Sequence, residues 1–147
     1  MAESTGKTGR GVKFFLSDGA SPPTWTQVAN VTSVGPTGRD AEEIDFTHLD
    51  SDGGFREFRQ GFKDAGTLNI EYHFSPEEES HVDMLDLWDS GAVVDWRIDF
   101  TGAGWDRYLE GRGYVQNPGD LTINVGDPIA GSATVRVTGK PEFVAPY

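Results

Sequence analysis

The stretch 67-TLNIEYHFSPEEESHVDMLDLWDSG-91 changes its hydrophobic period halfway, and that change decides the fold. Leu68, Ile70, Tyr72 and Phe74 first alternate with Asn69, Glu71 and His73, the two-residue period of a strand with one buried face. Beyond Ser75 the spacing turns helical: His81, Met84, Leu85 and Trp88 stand at i, i+3, i+4 and i+7 and form a stripe able to cover a sheet. Ser75 with Glu78 reads as a capping box, Pro76 suits the first helical position, and Glu77 to Glu79 suit the positive end of the helix dipole. Gly91 stops the helix, which is predicted over residues 76–89.

Working outward, 93-VVDWRIDF-100 repeats the strand pattern, with Val94, Trp96, Ile98 and Phe100 on one face and Asp95, Arg97 and Asp99 on the other. Further strands are expected within Val12–Gly19, from Trp25 to Val34, entering at Ala41–Leu49, and at Tyr108–Val115, Leu121–Val125 and Ala133–Thr138. Turns are expected at Ser21–Pro23 and Gly35–Gly38. The sum is about six to eight strands and one helix: a mainly β fold, a β-sandwich or small barrel with one flanking α-helix and a long inter-strand loop over 48–66. Residues 1–147 read as one domain, with a flexible N-terminal arm (1–12) and a short tail (142–147).

Composition closes off several classes. A chain of 147 residues buries about 70% of its unfolded surface in a single core. The absence of cysteine excludes disulfides, thiolate catalysis and Cys-ligated metals. The N-terminal run has no apolar core of a secretory signal, and no apolar stretch is long enough to span a membrane. With 24 acids against 12 bases the net charge is −12, which argues against wrapping of DNA or RNA. It fits either simple solubility or a surface that lets DNA pass without adhesion.

Chemistry-bearing motifs fail one by one. The run 48-HLDSDGG-54 invites a calcium-loop reading, yet with Gly53 at the sixth position His48 falls at the first and Arg59 at the twelfth, where a bidentate carboxylate is needed. It reads as a tight acidic turn. The run 4-STGKTG-9 imitates a phosphate loop but follows no strand. His48, His73 and His81 lack metal-ligand spacing, and no GxSxG nucleophile elbow is present. Acids on strand faces are plentiful, but such acids are ordinarily just solvated, so a two-carboxylate hydrolase is the third-ranked reading. No catalytic residue, metal ligand or cofactor site is assigned, and the chain reads as non-enzymatic.

What remains unexplained is 55-FREFRQGFK-63. Phe55, Phe58 and Phe62 with Arg56, Arg59 and Lys63 are residue types that anchor protein interfaces. Either these rings fold back on their own core or they form an arm that docks on a neighbour.

The run from Ile44 to Phe74 resembles the major tail tube proteins of long, non-contractile-tailed bacteriophages. In that family a segment V-D-x-T-x-x-D/E-S-x-G-G-x-R-E-F-x-x-G-x-x-D-x-G-x-L joins one strand to the next. This sequence matches it at Asp45, Thr47, Ser51, Gly53, Gly54, Arg56, Glu57, Phe58, Gly61, Asp64, Gly66 and Leu68. The following helix, the Trp96–Ile98 strand, Gly113–Val115 and the closing 137-VTGKP-141 keep the same layout, so the likeness spans about Gly11 to Pro141. Type VI secretion tubes and gene transfer agent tails are related, and some relatives carry a C-terminal immunoglobulin-like domain that has no counterpart before Tyr147.

The resemblance implies a structural, virion-tail subunit, assembled in the host cytoplasm, that forms hexameric rings stacked into an electronegative conduit for DNA. It implies partners: other copies of the chain, a tape measure protein, a tail terminator and distal tail or baseplate proteins. On the same basis Asp50, Asp52, Gly53, Gly54, Phe55, Arg56, Glu57, Phe58, Arg59, Gly61, Phe62, Lys63 and Asp64 are expected at inter-subunit contacts, and Met1–Lys13 more weakly so. Glu71, Asp95 and Asp99 are the candidate lumen-facing acids. Two alternatives stay open: a monomeric binding module, of carbohydrate-binding or capsid-decoration type, with Trp25 and Trp105 as platforms, and the tube of a contractile or type VI system.

Overall fold

The structure, a computed structural model, describes residues 8–18 and 24–145. Nine strands and one helix follow in the order β1 (Lys13–Ser17), β2 (Trp25–Gln27), β3 (Val31–Thr37), β4 (Asp40–Asp45), β5 (Phe58–Asp64), β6 (Thr67–His73), α1 (Glu79–Ser90), β7 (Val94–Asp99), β8 (Tyr108–Thr122) and β9 (Ala130–Val144). Seven strands make one antiparallel sheet in the order β2-β1-β7-β8-β9-β6-β3, and β4 and β5 pair separately as a two-stranded ribbon. The fold is mainly β with one helix, as expected. The barrel alternative does not hold, because β2 and β3 remain edges of an open sheet.

Register explains the core. Phe14 pairs with Ile98 and Leu16 with Trp96. Ile98 and Trp96 in turn meet Leu109 and Gly111. Val115 meets Val135, which faces Leu68, and Ile70 faces Ala133. These residues point to one side and merge into a single buried cluster that includes Met84 of α1. Every second residue of five strands is thereby withdrawn from water, at about 1.5–3 kcal/mol for each large apolar side chain. Two glycines make room for the largest rings: a Cβ at Gly111 would meet the Trp96 indole at 2.6 Å, and one at Gly131 would meet the Tyr72 ring at 2.6 Å.

Several boundaries move for identifiable reasons. The strand predicted from Trp25 to Val34 breaks at Asn30, which adopts a left-handed φ of 59° and starts β3 afresh. β3 then runs through Gly35 and Pro36, where a turn is predicted; an edge strand tolerates the missing proline donor. The helix begins at Glu79 rather than at residue 76, and no side chain caps it. The capping box does not form. Instead His81, buried against Tyr72 and Phe74, accepts from the Ser75 amide at Nδ1 (3.2 Å) and bonds the Ala29 carbonyl through Nε2 (2.7 Å). Ser80 Oγ accepts from the Ala29 amide. The buried stripe is therefore Ser80, His81 and Met84, while Leu85 and Trp88 of the predicted stripe are exposed.

Asn117-Pro118-Gly119 is a bulge inside β8, so the strand predicted at Tyr108–Val115 continues to Thr122, and of the strand predicted at Leu121–Val125 only Leu121 and Thr122 are in a strand. Asn117 Oδ1 accepts from the Gly119 amide and holds the bulge closed. β9 likewise extends well beyond Ala133–Thr138, and its end, Glu142–Val144, pairs with Tyr108–Glu110 where a tail is expected. At the other end, residues 8–12 turn on Gly11 and bring partly buried Val12 onto the core; 1–7 lie outside the described residues, as does the Ser21–Pro23 turn.

Candidate assembly surface

The long loop expected over 48–66 is in fact half of a hairpin arm. Phe58–Asp64 form β5 and pair with β4 from Asp45↔Phe58 to Asp40↔Asp64. Alternation in 58-FRQGFKD-64 is obscured by a bulge: Ala41 pairs with Lys63 and Glu43 with Gln60, so Gly61 and Phe62 both oppose Glu42. Lys63 falls on the face of Glu43 and Asp45, and Phe62 turns to the face of Ile44, Phe46 and Arg59. On that face the Arg59 guanidinium lies 4.8 Å from the centre of the Phe46 ring. Gly61 keeps this face open, since a Cβ would press on the end of the Ile44 side chain at 2.9 Å and on Glu42 at 3.1 Å.

The tip is built by short polar bonds. His48 donates its amide to Ser51 Oγ (3.0 Å), and Ser51 Oγ donates to Glu57 Oε2 (3.0 Å). Glu57 Oε2 also lies 3.3 Å from His48 Nε2. The Glu57 amide donates to Thr47 Oγ1 (2.8 Å), and the Thr47 amide donates to Asp45 Oδ1 (2.8 Å). The Thr47 hydroxyl and then its amide hold the Asp45 carboxyl below the usual carboxylate range. Asp52–Gly54 form a single 3-10 turn in which Gly53 and Gly54 take φ of 63° and 74°.

The base is anchored just as specifically. Asp64 Oδ2 accepts from Arg136 of β9 at 2.7 Å, Asp64 Oδ1 accepts from the Gly66 amide at 2.8 Å, and Arg136 also donates to the Gly66 carbonyl. The Arg136 guanidinium, followed by the Gly66 amide, lowers the Asp64 carboxyl below its ordinary range. Gly66 itself has φ 80° and passes so close to the Thr37 carbonyl that a side chain has no room.

A division of labour follows among the predicted contact residues. Gly53, Gly54, Glu57, Gly61 and Asp64 shape the arm. Phe55, Arg56, Phe58, Phe62 and Lys63 do not; Phe55 is 77% and Phe62 88% exposed, and neither β4 nor β5 adds a residue to the core cluster. Asp50 and Asp52 sit at the exposed tip. Ile44, Phe46 and Leu49 are exposed there too. Ile44 and Phe46 are absent from the predicted set; their alternation with Asp45 is the signal that points to them.

The remaining candidates lie on the large sheet, on the face opposite the core. Glu71 stands on β6, Asp95 reaches Arg112 (3.4 Å), and Asp99 accepts from the Thr101 amide (2.8 Å) and hydroxyl (2.6 Å). The proposed platforms are occupied: Trp25 stacks on Arg97, which is itself held by Tyr108 and Glu110, and Trp105 packs with Phe100 and Phe143. Among the described residues no cluster of side chains could hold a metal, and no helix is long and apolar enough to cross a membrane.

Comparison with known proteins agrees with this architecture. The family model described as "Lambda phage tail tube protein, TTP" matches residues 8–144. No curated protein matches the chain. Among solved structures, the tail of an empty gene transfer agent particle has a TM-score of 0.75 at 17% identity, over 95% of this chain and 100% of that one. The SPP1 tail tube gives 0.68 at 14% identity, over 96% and 80%. The sheath–tube complex of an extracellular contractile injection system, PVC, gives 0.70 at 10% identity, over 98% and 99%. These likenesses fix the fold, and with a family match across nearly its whole length the chain belongs to the lambda phage tail tube protein family, whose members are structural components of the virion tail.

Proposed function

We propose that the chain assembles as hexameric rings that stack into a DNA-conducting tail tube, and that the β4–β5 arm is the contact between copies. The observation that carries this reading is the arm itself: five large apolar side chains (Ile44, Phe46, Phe55, Phe58 and Phe62) held in a fixed shape by a network of short bonds, yet facing water. Exposed rings on so ordered a scaffold are what a docking surface requires. Support for six-fold rings comes from the gene transfer agent tail, described with C6 symmetry. The subunit acts without catalysis, and its partners are its own copies, a tape measure protein, a tail terminator and distal tail or baseplate proteins. Assembly occurs in the host cytoplasm.

The coreless face of the large sheet lines the lumen in this reading. Glu71, Asp95 and Asp99 all lie on it, and Glu71 has no ion-pair partner among the described residues. A net charge of −12 keeps transiting DNA from adhering. The test is negative-stain electron microscopy of the concentrated protein beside a Phe55→Glu/Phe62→Glu variant. Wild-type rings or tubes, and a folded variant that forms neither, are expected. Tubes formed equally by the variant would refute the contact role of the arm.

A further inference from the structure

The outer face of α1 is as unusual as the arm. Val82, Leu85, Asp86 and Asp89 fall at i, i+3, i+4 and i+7, on the side opposite buried Ser80 and Met84. Val82, Leu85 and neighbouring Trp88 are exposed. Glu79, Asp83, Asp86 and Asp89 give the helix four acids and no lysine or arginine, and none of them forms an ion pair among the described residues. Crowding has a visible effect: burial, followed by the charges of Asp86 and Glu79, raises the Asp83 carboxyl above its usual range.

An apolar stripe edged by unpaired acids calls for an apolar surface edged by cations. The arm supplies one toward its tip: Ile44, Phe46 and Phe62 share a face with Arg59, and Arg56 lies just beyond, free of an acidic partner among the described residues, while Glu42 on the same face lies toward the base, beside Gly61. The lengths match as well. β5, with seven residues, spans about 23 Å, and α1, with twelve, about 18 Å. We propose that the arm of one copy docks by its Ile44–Phe46–Phe62 face on the outer stripe of α1 of a second copy, with Arg59 and Arg56 against Asp86 and Asp89. This rests on the tube reading and names the surface that receives the arm. The other exposed apolar run, Leu121, Ile123 and Val125, is the competing receiver.

The absence of native cysteine makes the test clean. A tagged Phe62→Cys copy is mixed with an untagged Leu85→Cys copy, assembled, and oxidised; an Ile123→Cys copy replaces the second in a parallel reaction. Arm docking on α1 gives a disulfide dimer of mixed copies with Leu85→Cys and at least a ten-fold weaker band with Ile123→Cys. A charge reversal gives the second readout: Arg59→Glu lowers tube yield, Asp86→Lys/Asp89→Lys lowers it too, and the combination restores it. Tubes that form while only Ile123→Cys cross-links, or that ignore the helix reversal, would overturn the inference and leave the tube reading standing. A wild-type chain that stays monomeric at every concentration would overturn both.

Discussion

Gly66 and Asp64 show how little of the arm's position is left to chance. At Gly66 a positive φ coincides with a backbone carbonyl that leaves no room for a Cβ, so two independent constraints select the same residue. Gly66→Ala is expected to destabilise the fold by about 1–3 kcal/mol in urea unfolding, since either the turn or the Thr37 strand must shift. Asp64 adds a pH dependence. Its carboxyl is depressed by Arg136 and the Gly66 amide, so the anchor it forms is present above the ordinary carboxylate pKa of about 3.9 and is lost as pH falls through the lower folded value. An NMR titration of the Asp64 carboxyl carbon should show a midpoint below 3.9, rising in Arg136→Ala. An unchanged midpoint in that variant would remove Arg136 as the cause.

At the scale of elements, the arm is expected to be dispensable for folding. Asp45 and Phe58 are cross-strand partners, so replacing residues 46–57 with Asn-Gly closes the hairpin with a two-residue turn. The shortened chain should keep its melting temperature within about 3 °C, because no core residue is removed. A larger loss in calorimetry would mean that the arm supports its own body. Legibility in the sequence follows the same line between core and projection. Period-two runs such as 67-TLNIEYH-73 and 94-VDWRID-99 bury one face each and were readable directly, because burial writes the pattern. β5 was not, because both of its faces are exposed and the bulge at Gly61–Phe62 breaks the alternation. The helix starts later than the Ser75–Glu78 spacing predicts because Ser75 to Glu78 close a separate turn, the Glu78 amide on the Ser75 carbonyl, while the Ser75 amide donates to His81 Nδ1. Of the candidate contact set, membership was legible from residue type, whereas the split between shaping and exposed residues needed the hydrogen bonds.

At the scale of the whole molecule, the acidic balance has a direct consequence. On the proposed lumen face Glu71, like Asp99, has no ion-pair partner among the described residues, and reversing its charge should weaken the repulsion of phosphate. Glu71→Lys tubes are expected to retain short duplex DNA in a co-sedimentation assay at low salt, and wild-type tubes are not; retention should fade as salt rises. Equal, negligible retention by both would take Glu71 off the lumen wall. The central claim, that copies join through the arm into a six-fold tube, is met most directly by a helical cryo-EM reconstruction of the assembled protein. Stacked six-membered rings with ordered density for residues 44–62 seated on a neighbouring copy are expected. Rings of another symmetry, or arms standing free of every neighbour, would contradict it.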